Sequence, residues 1–138
     1  MTKQPIPTYR GRSLGIVALT AAQLLIGAIH VFFGLLFLAF ENLSFLQNTI
    51  IYDVYTIVFG VLTVVFAVFI WQGKKAGWVG TTAVSLFVIV ADSLTLLDLP
   101  SIPGIPKFAG VGEITYSVLI IIYLCTKQVR EKYLGRLS

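Results

Sequence analysis

Charged side chains are scarce in this chain: Asp, Glu, Lys and Arg make up 12% of it, against 57% apolar residues. This composition leaves too little polar surface to cover a globule in water. A mean hydropathy of +0.92 indicates that the folded chain is surrounded by lipid. The net charge of +4 comes from bases in short segments beside apolar runs, so the sequence predicts no nucleic-acid partner.

Cysteine and histidine occur once each, as Cys125 and His30. One thiol excludes an internal disulfide, and this pair cannot form a cysteine-rich zinc site. The sequence contains no histidine pair at helical spacing, no nucleophile beside a base and no phosphate-binding glycine loop. We therefore assign no catalytic, cofactor-binding or metal-binding residue, and we do not expect the chain to be an enzyme by itself.

Four apolar stretches are long enough to cross a membrane, since a helix needs about 20 residues to span about 30 Å of hydrocarbon. They cover residues 14–40, 50–71, 77–97 and 109–125. Apolar residues around the whole circumference are not typical of surface helices, and β-barrel strands would be about half as long. The sequence predicts an all-α integral membrane four-helix bundle, with residues 1–138 as a single membrane domain.

The distribution of positive charge predicts the direction of the spans, because cytoplasmic connections retain Lys and Arg. Nine of the ten bases lie on one side: Lys3, Arg10, Arg12, Lys74, Lys75, Lys127, Arg130, Lys132 and Arg136. Lys107 alone lies on the other. Trp71 and Trp78, on either side of the turn at residues 72–76, are typical of the headgroup level. We expect a multi-pass protein of the plasma membrane with both termini in the cytoplasm.

The two outer connections differ in chemistry. Residues 41–49 form a short polar link, whereas residues 98–107 contain three prolines and a glycine that end the third helix. A shift of 62 positions pairs Gly15 with Gly77 and His30 with Asp92, so a duplicated two-helix hairpin is one interpretation. Chance similarity between apolar helices is the other.

Small and polar residues recur at helical spacing on three of the spans. On each of these spans they share one face of the helix. They are Gln23, Gly27, His30 and Gly34 on the first span, Asp53, Thr56, Gly60 and Thr63 on the second, and Thr81, Ser85 and Asp92 on the third. Small residues allow membrane helices to approach closely and polar ones bond across them. We predict a helix-packing face at Gln23, Gly27, Gly34 and Gly60.

Four ionisable residues are expected in the outer half of the membrane, namely His30, Asp53, Asp92 and Glu113. A carboxylate at membrane depth costs at least about 2.5 to 3.5 kcal/mol on insertion scales, so such groups need partners. We predict an intramembrane polar cluster with a hydrogen bond between His30 and Asp92. It has two interpretations: a structural cluster, or a site that binds a cation or relays protons.

Three segments carry a resemblance to a known family. They are Arg12-Ser-Leu-Gly-Ile-Val-Ala-Leu, Trp71-Gln-Gly-Lys-Lys-Ala-Gly-Trp78 and Tyr123-Leu-Cys-Thr-Lys-Gln-Val-Arg-Glu-Lys-Tyr-Leu-Gly135. Together they resemble small four-span membrane proteins of unassigned function found in archaea and some bacteria. The chain departs from that pattern at Ser13 and Gln128, where proline is usual. The resemblance implies topology, and it implies neither an activity nor site residues.

Two functions fit these observations. The first is a structural or accessory subunit of a larger membrane enzyme complex, such as a respiratory oxidase or an ammonia- or methane-type monooxygenase. Its partners would be membrane lipid and other membrane subunits, without a cofactor of its own. The alternative is a small oligomeric cation or proton channel or transporter, whose acidic outer side attracts cations.

Overall fold

The computed structural model describes residues 8–9, 12–40 and 50–135. The helices are α1 (Leu14–Ala39), α2 (Ile50–Trp71), α3 (Lys75–Leu96), α4 (Lys107–Leu124) and α5 (Lys127–Leu134). Two short strands, β1 (Thr8–Tyr9) and β2 (Arg12–Ser13), pair with each other. The prediction of an all-α chain with four long apolar helices is confirmed for these residues, and each long helix ends within two residues of its predicted span. The predicted link at residues 41–49, and Lys3, Arg10 and Arg136, lie outside the described ranges.

Helix α1 begins at a capped position. The Ser13 hydroxyl oxygen accepts a hydrogen bond from the Ile16 amide at 3.5 Å, and serine at this position supplies an acceptor to amides that have no carbonyl partner in the first turn. Arg12, just before it, donates from Nε to the Trp71 carbonyl at 2.9 Å. Its guanidinium also lies 4.3 Å from the centre of the Trp71 ring. The start of α1 is thereby attached to the end of α2.

Helices α1 and α2 approach each other through glycines. A Cβ atom added to Gly27 would lie 2.8 Å from the Gly60 carbonyl oxygen, and one added to Gly60 would lie 2.7 Å from that of Gly27. One added to Gly34 would lie 3.2 Å from the Asp53 carbonyl oxygen. The three predicted packing glycines therefore lie where two backbones meet with no room for a side chain.

The connection between α2 and α3 is a tight turn. Gly73 has φ +75°, a conformation that suits glycine, and the Lys74 amide donates to the Phe69 carbonyl at 2.9 Å. A Cβ atom on Gly77 would lie 2.6 Å from the Phe69 carbonyl carbon. The first turn of α3 therefore packs directly on the last turn of α2.

The proline-containing connection between α3 and α4 folds back onto α3. The Ser101 hydroxyl donates to the Ala91 carbonyl at 2.7 Å, and Ile105 is buried. At the surface, Lys107 Nζ lies 2.6 Å from Asp98 Oδ1. This connection fixes where α4 begins relative to α3.

The order of packing leaves one side of the bundle open. Helix α1 packs along α2, α2 along α3 and α3 along α4, whereas the described backbones of α1 and α4 do not pack along each other. All four long helices expose large apolar side chains, among them Leu25, Phe32, Ile51, Val90 and Leu119. Their length and composition are sufficient to cross a membrane, which fits a multi-pass membrane protein.

Helix α5, which the sequence analysis did not predict, closes the end of the bundle where α2 and α4 finish. Its Tyr133 hydroxyl donates to the Ile70 carbonyl at 2.8 Å, and the Trp78 indole donates to the Leu124 carbonyl at 2.9 Å. The apolar residues packed there are Ile16, Leu19, Ile70, Ile120, Leu124, Val129 and Tyr133. We call this end of the bundle the α5 end and this group of residues the apolar plug.

Duplication of a two-helix hairpin remains an interpretation. The shift of 62 positions pairs Gly27 with Ile89, and the shift of 60 positions that places Asp53 over Glu113 pairs Gly60 with Ile120. The close glycine contact of the first hairpin is thus not repeated in the second.

Candidate functional site

Polar side chains are buried among apolar ones in the interior of the bundle, while its surface is apolar. The buried polar residues are Thr20, Gln23, Asp53, Thr56, Thr63, Thr81, Ser85, Asp92 and Ser117. This arrangement reverses that of a soluble protein, as expected when the surrounding solvent is hydrocarbon and polar groups must bond to one another. Gln23 of α1 donates to the Thr81 hydroxyl of α3 at 3.2 Å, which joins the two helices across the centre.

A small cavity lies beside this hydrogen bond. Its volume is about 10 Å³, and Gln23, Thr63, Thr81, Tyr116 and Ser117 contribute to its lining. Among the described residues, no hydrogen-bond partner reaches Gln23 Oε1, Thr63 Oγ1 or Tyr116 Oη. The space is of the order needed for one water molecule and is lined by the polar atoms that such a molecule requires. No larger substrate fits there.

His30 of α1 bonds across the open side of the bundle to Glu113 of α4. Its Nδ1 lies 2.8 Å from the Ile26 carbonyl oxygen, and its Nε2 lies 3.3 Å from Glu113 Oε1. A carbonyl only accepts hydrogen bonds, so Nδ1 carries a proton. Nε2 and the carboxylate would then both be acceptors unless one further proton lies between them. The pair therefore holds a shared proton, as imidazolium with carboxylate or as imidazole with carboxylic acid.

The predicted hydrogen bond between His30 and Asp92 is replaced by this contact with Glu113. Asp92 is fully buried on α3 and faces Gly110 of α4, where an added Cβ atom would lie 3.4 Å from the Asp92 Cβ atom. The prediction used the depth of each residue along its helix, and depth does not determine which helix faces His30. No described residue forms a hydrogen bond with either carboxylate oxygen of Asp92.

Asp53 occupies a different position, in the first turn of α2. It is fully buried, and no described residue donates a hydrogen bond to either of its carboxylate oxygens. His30 and Glu113 are in contact, and Asp92 faces α4 at Gly110, three residues before Glu113; we call these three residues the acidic triad.

The acidic triad borders a groove that opens sideways between α1 and α4. The groove has a volume of about 220 Å³, and its lining includes Ile26, His30, Ala109, Gly112, Glu113 and Ser117. The side chains of His30 and Glu113 are 21% and 23% exposed there. We call this feature the α1–α4 groove; it presents a polar pair on an otherwise apolar flank.

The apolar plug separates the polar centre from the α5 end. Burial among its neighbours raises the pKa of Tyr133 to about 12. The phenol is therefore neutral at ordinary pH and keeps its hydrogen bond to Ile70.

The described residues contain no group of three or more metal-ligating side chains suited to hold an ion. Comparison with known proteins gives no further assignment: no family model, no curated protein and no solved structure matches this chain.

Sequence reasoning missed Tyr116 and Tyr133. Val129 and Tyr133 are four residues apart and both buried, so an apolar pair at helical spacing in the basic tail was the available signal for α5.

Proposed function

We propose that this chain is an accessory subunit of a larger membrane enzyme complex, such as a respiratory oxidase or an ammonia- or methane-type monooxygenase. The supporting observation is the partly exposed pair of His30 and Glu113 in the α1–α4 groove. His30 lies about 24 Å along α1 from its start, at a depth where lipid offers no hydrogen bonds. A helix of another subunit seated in the groove would exclude lipid from this polar pair.

The interior supports the same proposal. The cavity of about 10 Å³ at its centre is too small for a substrate. The helix surfaces, by contrast, expose large apolar side chains in every span, which suits contact with another membrane subunit. A four-span chain of this kind would stabilise or position a neighbouring catalytic subunit.

Purification in mild detergent tests the proposal. We expect the tagged chain to copurify with unrelated membrane subunits in a fixed stoichiometry. Recovery as a monomer, or as a symmetric assembly of identical copies, would contradict it.

The orientation forms part of the proposal. Nine of ten bases favour a cytoplasmic α5 end in the plasma membrane. In a Cys125→Ser background, a cysteine replacing Ser101 should react with an impermeant reagent from outside, and one replacing Gln72 should react only after permeabilisation. Labelling of position 72 in intact cells would contradict this orientation and indicate the opposite one.

A cation or proton channel is the second candidate, favoured by the buried carboxylates of Asp53 and Asp92. Because the apolar plug closes one end of the chain, conduction would require a passage between copies. Asp92→Asn distinguishes the candidates. An accessory subunit should fold and assemble with the amide, which keeps the shape and removes the charge. A channel should lose cation or proton flux in reconstituted vesicles while remaining folded.

A further inference from the structure

A second cavity lies at the α5 end, between the start of α1, the end of α4 and the first turn of α5. Its volume is about 640 Å³, and its lining includes Ser13, Ile16, Tyr123, Lys127, Gln128 and Lys132. We call it the α5 pocket. Its size is in the usual range for small-molecule sites, and the apolar plug separates it from the acidic triad, so it is a different site.

Two positive charges at this pocket have no counter-ion among the described residues. Lys127 and Lys132 both line it, and neither forms an ion pair with any residue in the described ranges. The Lys132 ammonium lies 5.9 Å from the centre of the Tyr133 ring, a contact that leaves its charge unneutralised. The first turn of α5 adds the partial positive charge of a helix start. The pocket therefore favours an anion.

Hydrogen-bond donors and an apolar wall accompany these charges. The Ser13 oxygen accepts from the Ile16 amide, which leaves its hydroxyl hydrogen available to donate. Ile16 and Tyr123 form a wall on the side of the spans. An anion that fits both parts has a charged head and an apolar body.

The position of the pocket along the bundle agrees with such a ligand. It lies where α1 begins and α4 ends, at the same end as Trp71 and Trp78, which are typical of the headgroup level. Basic residues there attract anionic lipid. We propose that the α5 pocket binds one anionic phospholipid from the leaflet at the α5 end, with its phosphate held by Lys127, Lys132 and Ser13 and its apolar part against Ile16 and Tyr123.

Native mass spectrometry of the detergent-purified full chain tests this proposal with three probes: phosphatidylglycerol, phosphatidylcholine and inorganic phosphate. We expect one phosphatidylglycerol adduct to form at concentrations where phosphatidylcholine forms none. Inorganic phosphate should neither bind comparably nor displace the lipid. Equal binding of phosphatidylcholine would show that the negative charge of the lipid does not determine binding. Displacement by inorganic phosphate would show that the site binds the free anion. Either result overturns the proposal.

The variants localise the site. Lys127→Gln with Lys132→Gln should weaken phosphatidylglycerol binding about 30-fold, the loss expected for two basic residues near the surface. Lys75→Gln with Arg130→Gln removes the same charge from the same end but outside the pocket, and should stay within about threefold of the unaltered chain. Lys127→Arg with Lys132→Arg, which keeps the charge, should also bind. Unchanged binding by the first variant, or an equal loss in the control, would overturn the assignment.

Discussion

The imidazole of His30 and the carboxyl group of Glu113 meet at 3.3 Å across the gap between α1 and α4. Because the Ile26 carbonyl occupies the other ring nitrogen, the contact requires one shared proton. The pair is then neutral as a whole in either arrangement of that proton. Neutrality explains how a base and an acid can lie on the flank of a bundle that otherwise exposes apolar side chains.

This geometry makes the two obvious replacements of Glu113 unequal. The amide in Glu113→Gln can donate a hydrogen bond to Nε2 of a neutral imidazole. The free energy of unfolding of this variant should therefore stay within about 1 kcal/mol of that of the unaltered chain. Glu113→Ala leaves Nε2 without its partner and should lose about 1 to 3 kcal/mol. Unfolding in mixed detergent measures both. Thr115→Ala, at an exposed hydroxyl bonded to its own helix, is the control, and equal stability of the Gln and Ala variants would show that the contact is not a hydrogen bond.

The contact between α1 and α2 should tolerate no additional methyl group at Gly60. An added Cβ atom would lie 2.7 Å from the Gly27 carbonyl oxygen and 2.8 Å from the Val31 amide nitrogen, so backbone would have to move. We expect Gly60→Ala to lower the free energy of unfolding by about 1 to 3 kcal/mol.

The control for this prediction is Gly112→Ala, because nothing lies within 4 Å of a Cβ atom there. It should leave stability unchanged or slightly raised, since alanine favours a helix more than glycine does. If the two variants unfold alike, the close approach of the helices does not contribute to stability.

Hydropathy predicted the helices well because span length is set by membrane thickness, a property of the solvent. Hydropathy could not predict which residue bonds to His30. Asp92 lies at a comparable depth, but depth does not fix the rotation of a helix or its neighbour, and α4 stands opposite α1. Helix α5 was missed for a different reason: its bases are typical of a basic tail, and only Val129 and Tyr133 face the bundle.

The attachment of α5 should weaken at high pH. The pKa of Tyr133 is raised to about 12, above about 10 for an exposed tyrosine in the unfolded chain. The unfolded chain therefore loses this proton first as pH rises, so stability from this group is complete below about pH 10 and is lost as pH rises through about 12.

Tyr133→Phe isolates this effect. It removes the hydrogen bond to Ile70, which should cost about 1 kcal/mol at neutral pH, and it removes the ionising group. The stability difference between the two chains should narrow from about pH 10 upward, measured by thermal unfolding at a series of pH values. A difference that stays constant to pH 12 would mean that the phenol ionises equally in both states.

Photo-crosslinking in native membranes tests the accessory-subunit proposal most directly. A photoreactive side chain in place of Gly112 lies in the α1–α4 groove, and the same group in place of Val90 lies on an exposed face of α3. We expect position 112 to give one dominant adduct with an unrelated membrane protein, and position 90 to react with lipid. Lipid adducts alone at both positions, or an adduct between two copies of this chain at position 112, would contradict the proposal.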